Sequence, residues 1–195
     1  MCPALLRDTT LYDVLLKFDH DLAAEARAAR CPCGGALHSA RYPRKPRGGP
    51  DDLGPEYTTR LSFCCAVEGC RRRVTPPSVR FLGRRVYLGA VVVLVTAMRA
   101  GLTAPRAAQL REWFGVSGRT LARWRQWWRE TFVASPFWQG VKGRFAPPVA
   151  PRALPASLLE RFGAEHARDR LVALLRFLAP LTTRGAGEAR TPRGA

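Results

Sequence analysis

The sequence predicts a mainly α protein carrying one small β module. Three observations predict it. Apolar residues recur at helical spacing from Leu11 to Arg30, and again from Gly83 to Phe132. Between them lies a stretch of short alternating runs broken by proline and glycine. That stretch holds most of the chain's six cysteines, gathered in two turn-flanked groups. A module this small cannot bury enough apolar surface to hold itself, so a metal cross-link is expected there. The predicted fold is therefore mainly α with a small β zinc ribbon. In chain order it has an N-terminal amphipathic helix over 1–30, the zinc ribbon over 31–81 and a three-helix unit of helix-turn-helix type over 82–132. A Pro-rich segment with short C-terminal helices and a disordered tail follows over 133–195.

The first helix carries Leu11, Val14, Leu15, Phe18 and Leu22 on one stripe, extended by Ala26 and Ala29. Acids, among them Asp13, Asp19, Asp21 and Glu25, sit between them. This least basic part of the chain is expected to pack on the next module or on a partner, not on nucleic acid. In the β module, "ALHSARY" alternates weakly, and "EYTTRLSF" alternates through Tyr57, Thr59, Leu61 and Phe63. The intervening "PRKPRGGPDDLGP" is a loop.

The cysteines define the metal chemistry. Structural zinc takes four thiolate or imidazole ligands in a tetrahedron, presented by two turns. Cys31 and Cys33 form one pair, with the short spacing C-x-C. Gly34 and Gly35 follow, where backbone N–H groups can point at sulfur and favour the thiolate. In the second group Cys64 and Cys65 are adjacent, so on a strand they face opposite ways. Cys65 shares a face with Phe63 and Leu61, and is the better partner for Cys70. The expected Zn2+ ligands are thus Cys31, Cys33, Cys65 and Cys70, with Cys64 or His38 as alternatives for one place.

Downstream, a buried helix is expected from about Arg85 to Arg99, stopping near Gly101. A second has Thr103 as N-cap and Pro105 in its first turn. Gly115 supplies a left-handed turn, and Ser117 caps a third helix, with Thr120 at its third position. Projected at 3.6 residues per turn, that helix puts Leu121, Trp124 and Trp128 on one face and Arg119, Arg123 and Gln126 on the other. This suits a recognition helix in the major groove. Ser117, Arg119, Thr120, Arg123, Arg125 and Gln126 are the expected DNA-binding residues. Beyond Ser135 come "PASLLERFG" and "HARDRLVALLRFLA", two short helical patterns, and a tail from Thr182 expected to be disordered.

Charge agrees with a polyanionic partner. There are 32 basic and 15 acidic side chains, a formal net charge of +17. Only Lys17, Lys45 and Lys142 are lysines, so nearly all of the excess is arginine, which grips phosphate and guanine bidentately. Arg71, Arg72, Arg73, Arg80, Arg84 and Arg85 are candidates for a phosphate-binding surface, and "YPRKPRGG" for a flexible basic arm. The start of the chain lacks a signal-peptide pattern, and Val86 to Met98 falls short of the roughly 20 residues of a membrane span. With cysteines spaced for metal, a reduced cytoplasm and no membrane partner are expected.

The quoted pieces "CPCGG", "RLSFCCAVEGCRRRVTPPSVRF" and "LREWFGVSGRTLARW" resemble the N-terminal, DNA-binding part of insertion-sequence transposases. In several such families a zinc ribbon leads directly into helix-turn-helix segments. The resemblance covers about Cys31 to Phe132 and implies site-specific binding of duplex DNA, typically at transposon ends. The C-x-C spacing and the doubled cysteine depart from the family pattern. No catalytic constellation accompanies it. Carboxylates after Phe132 are Glu160, Glu165, Asp169 and Glu188, in a segment too short and helical for an acidic triad on a sheet. His20, His38 and His166 are scattered, and no G-x-x-x-x-G-K loop occurs. The expected protein is a non-enzymatic, sequence-specific binder of duplex DNA, transposase-related or an accessory factor of a mobile element. Its alternative role is an adaptor that docks a partner recombinase or transposase.

Overall fold

The computed structural model describes residues 2–82, 87–98 and 103–183, and for Cys2, Pro3 and Arg106 only the backbone. Arg84, Arg85, Gly101 and the tail beyond Thr183, all part of the sequence expectations, lie outside the described residues.

A single turn, α1 (Cys2–Leu5), precedes the long helix α2 (Thr9–Ala28). Asp8 caps α2, its carboxylate accepting from the Thr10 amide at 3.0 Å. The first half of α2 buries Leu11, Tyr12 and Leu15 in a large helical core. Its second half places Ala23 in a separate small core with Leu37, Leu61, Phe63 and two cysteines. One helix thus serves both hydrophobic centres.

The β module follows α2. Strands β1 (Leu37–Ser39), β4 (Phe63–Cys65) and β5 (Arg73–Val74) form an antiparallel sheet in the order β1-β4-β5. Leu37 pairs with Cys65, His38 with Cys64 and Cys64 with Arg73. β2 (Tyr42–Pro43) and β3 (Thr59–Arg60) make a second, two-stranded piece. Tyr57, expected on a strand, instead lies in a 3-10 turn over Pro55–Thr58. Pro55 starts that turn, and the buried Tyr57 ring packs edge-on against Tyr12 at 5.4 Å. The basic loop expected to be a flexible arm is packed down. Arg44 donates its amide to Thr58 at 2.6 Å, and the Arg47 carbonyl accepts from Leu88 at 3.1 Å. A Cβ on Gly48 would stand 3.0 Å from Val91, so the loop lies directly on the helical core.

At the centre of that core is α3 (Gly89–Ala97), every residue of it buried from Gly89 to Thr96. Gly89 permits close approach, because a Cβ there would meet Leu175 at 3.2 Å and the Val79 carbonyl at 3.3 Å. α4 (Ala104–Phe114) lies at the rim and contributes Leu110 and Phe114. α5 (Gly118–Trp127) runs on through a π turn, Trp128–Phe132, that brings both Trp128 and Phe132 inside. The segment after 133 closes the core. α6 (Pro136–Val141) and α7 (Ala156–Leu159) lead to α8 (Ala167–Leu178), which buries Leu171, Leu174, Leu175 and Leu178. Among the described residues no helix is long and apolar enough to cross a membrane.

Arg80 corrects an expectation. Read as part of a phosphate-binding surface, it is fully buried and paired with Asp19 at 2.8 Å, both side chains without exposure. Its other nitrogens donate to the carbonyls of Glu56, Tyr57 and Thr59. Asp19 also accepts from the Ser78 hydroxyl at 2.6 Å and the Val79 amide at 2.7 Å. Every polar valence of a buried charge needs a partner, and this network supplies them from three separate segments.

Candidate functional site

Two tight turns bring Cys31, Cys33, Cys65 and Cys70 together, with all four sulfurs within 4.8 Å of one another. In the first turn the Gly34 amide donates to the Cys31 carbonyl at 2.7 Å, and the Cys31 amide to Gly35 at 3.0 Å. Gly34 adopts φ 81° there. In the second turn Gly69 adopts φ 83°, and the Cys70 amide donates to the Val67 carbonyl at 3.2 Å. Such angles are open to glycine and costly for other residues. Arg30 and Arg71, flanking the two turns, also have positive φ, 61° and 41°. For a residue with a Cβ this costs about 1 kcal/mol each.

The Sγ atoms of Cys31 and Cys70 are 3.8 Å apart, and those of Cys33 and Cys65 are 3.5 Å apart. A disulfide needs about 2.05 Å, so these are free thiols. Around an ion bound at about 2.3 Å from each sulfur, a regular tetrahedron has edges of about 3.8 Å. The cluster therefore fits a four-coordinate metal ion. Four thiolates would fill the tetrahedron, leaving no open position for a substrate, which is the pattern of a structural site.

The surroundings favour the thiolate at Cys33 and oppose it at Cys65. The Val67 amide donates to the Cys65 sulfur at 3.4 Å. A Cβ on Gly35 would come within 2.7 Å of the Cys65 sulfur and 2.6 Å of Val67, so only glycine fits under the cluster. The Gly35 amide, with the thiols of Cys65, Cys70 and Cys31, lowers the Cys33 pKa from 9.0 to about 7. At Cys65 the Val67 amide pulls downward, but burial and the three other thiols outweigh it, raising the pKa to about 12. The Cys33 thiol thus ionises more readily than that of Cys65.

Cys64 faces away and donates to the Arg71 carbonyl at 3.4 Å. His38 pairs with Cys64 in the strand register, and neither joins the cluster.

The residues expected to bind DNA lie on α5 and divide into two kinds. Ser117 caps the helix, its hydroxyl oxygen accepting from the Thr120 amide at 3.2 Å. Thr120 is buried, with its hydroxyl 3.0 Å from that of Ser117. Expected among the DNA-binding residues, it sits at the start of the helix against the Ser117 cap. Arg119, Arg123 and Gln126 are exposed, and Arg125 is half-buried. Gln126 donates to Glu130 at 2.9 Å. Leu121, Trp124 and Trp128 are buried on the opposite side. The preceding turn is held by Gly115 at φ 62°, whose carbonyl accepts from the Tyr87 hydroxyl at 2.6 Å. Tyr87 in turn meets the Trp124 ring edge-on at 5.0 Å. The turn and the inner face of α5 are thus locked to each other.

Sequence reasoning missed the Asp19–Arg80 network. The signal was present: Asp19 stands four residues after Leu15 and four before Ala23, within the apolar stripe of α2. An acid there has to find a buried partner. No known protein family, curated protein or solved structure matches the chain.

Proposed function

We propose that this protein binds duplex DNA through the outer face of α5, on a scaffold braced by one zinc ion. The observation that carries the reading is the division of α5. Its inner face is locked in the core, and its outer face presents Arg119, Arg123 and Gln126 to solvent. A helix held rigidly behind a tight turn, with guanidinium forks outward, matches the major groove in width and chemistry. In this reading α4, Gly115 and α5 act as a helix-turn-helix. Arg119 and Arg123 meet base edges or phosphates, while Arg125, Gln126 and Arg129 meet the backbone. Ser117 and Thr120 act indirectly, by fixing the end of the helix that enters the groove.

Zinc is the metal of choice for four thiolates in a tetrahedron, and it brings no redox chemistry. The cysteine module then plays the part of a zinc ribbon. The likeness of these segments to insertion-sequence transposases supports a target at the end of a mobile element, with a recombinase or transposase as protein partner. The net charge of +17 supports a polyanionic ligand in general.

The test is fluorescence anisotropy with labelled duplexes at two salt concentrations. Affinity should fall by orders of magnitude between about 50 and about 200 mM salt. Arg123→Ala should weaken discrimination between sequences by about 1–3 kcal/mol. Binding that is indifferent to salt, or that survives Arg119→Ala/Arg123→Ala unchanged, contradicts the reading.

A further inference from the structure

The turns of the cysteine cluster share a feature that metal ligation does not require. Among the described residues, Arg30 and Arg71 are the two non-glycine residues with positive φ, at 61° and 41°. One directly precedes the first ligand, and the other directly follows the last. Glycine would adopt either conformation freely, as Gly34 and Gly69 do within the same turns. An arginine at each place opposes folding through its Cβ and returns nothing to the fold. Both side chains are exposed, and neither has an ion-pair or hydrogen-bond partner among the described residues. Arg73, two residues on, behaves otherwise. Its guanidinium donates to the Ala40 carbonyl at 3.2 Å and lies 5.6 Å from the Tyr42 ring centroid, so it serves the module itself.

The cluster brings the chain segments that carry the two arginines close together. Arg30 is bonded to Cys31 and Arg71 to Cys70, and those two sulfurs are 3.8 Å apart. Exposed Arg27 stands on the last turn of α2, and exposed Arg72 follows Arg71. The carboxylates nearby in sequence are Glu25 and Glu68, so the surroundings of the two turns are cationic in balance. Unpaired guanidinium forks suit phosphate oxygens, which they grip bidentately. We infer that Arg30 and Arg71, with Arg27 and Arg72, form a second DNA-binding surface that grips the phosphate backbone, apart from the outer face of α5. This inference rests on the DNA reading given above. The surface reads no bases. It adds affinity and fixes the register of the protein along the duplex.

The strained backbone supplies a discriminating experiment. Arg30→Gly/Arg71→Gly removes both charges while relieving both turns, so a purely structural role predicts unchanged or better behaviour throughout. The double variant is compared with wild type and with Arg119→Ala/Arg123→Ala, all metal-loaded, using a random-sequence duplex across a salt series. Expected are full metal content, a melting temperature no lower than wild type, and affinity reduced on the order of tenfold. The slope of log affinity against log salt should shrink by about 1.8, for two lost phosphate contacts. Arg30→Lys/Arg71→Lys, which keeps the charges, should restore most of the slope. If glycine loosens the turns and metal is lost, Arg30→Asn/Arg71→Asn takes its place, since asparagine also tolerates this backbone. An unchanged slope in a metal-loaded variant, with binding lost in the α5 variant, overturns this inference and leaves the DNA reading standing. Absence of duplex binding by wild type removes both.

Discussion

Gly35 shows how much one missing carbon controls. Gly35→Ala would drive a methyl into the Cys65 sulfur at 2.7 Å and into Val67 at 2.6 Å. Metal affinity should fall by at least about tenfold, because the methyl displaces a ligand sulfur, read by competition with a chromophoric chelator. Proton competition gives a further expectation. With its pKa raised to about 12, Cys65 is protonated at neutral pH and must lose that proton to ligate. Metal loading should therefore release acid, and affinity should rise as pH is raised from about 6 to about 8, measured in buffers of differing ionisation heat. The choice of Cys65 over Cys64 was legible in the sequence, because strand alternation puts them on opposite faces. The fate of Arg80 was not. A run of arginines looks the same whether solvated or buried, and only the carboxylate of Asp19, distant in sequence, decides it. Arg80→Met should destabilise the fold by about 3–5 kcal/mol in urea titrations, because it strands that carboxylate in the core. Adding Asp19→Leu should recover much of the loss.

Among the elements, α5 was the most legible. Ser117, a 3.6-residue periodicity and the Gly115 turn all point to one helix with one buried side. Ser117→Ala removes the acceptor for the Thr120 amide and should cost about 1 kcal/mol. Fraying would reach Arg119 first, so duplex affinity should fall more than melting temperature alone explains. Equal affinity in the Ser117→Ala variant would argue that Arg119 takes no part. The short strands were less legible, since an alternation of only five residues, Tyr-Thr-Thr-Arg-Leu, is too short to fix where a strand begins. Pro55 decided for the turn, and the Tyr12 ring gave Tyr57 its place. The loop over 44–54 was legible as a loop, but its attachment was not. Close packing of Gly48 on Val91 depends on a helix more than forty residues away in sequence.

At the scale of the molecule there are two hydrophobic centres, one built on helices and one on the cysteines. Removal of metal should therefore loosen the cysteine module while the helical core keeps its cooperative unfolding. Chelation should leave most of the far-ultraviolet helical signal intact. In hydrogen exchange it should strip protection from 31–40, 61–74 and the last turns of α2. Complete collapse of the helical signal would mean that the two centres are one folding unit. That the C-terminal third completes the helical core was hidden in the sequence, since Leu171, Leu174, Leu175 and Leu178 show a helix but not its neighbour. The helix that joins the centres has a mechanical consequence. With 20 residues, α2 is about 30 Å long, and Asp19 lies near its midpoint, clamped to Ser78, Val79 and Arg80. It is a beam with a fulcrum. A tilt imposed at the cysteine end would be resisted at this midpoint clamp before it reached the helical core.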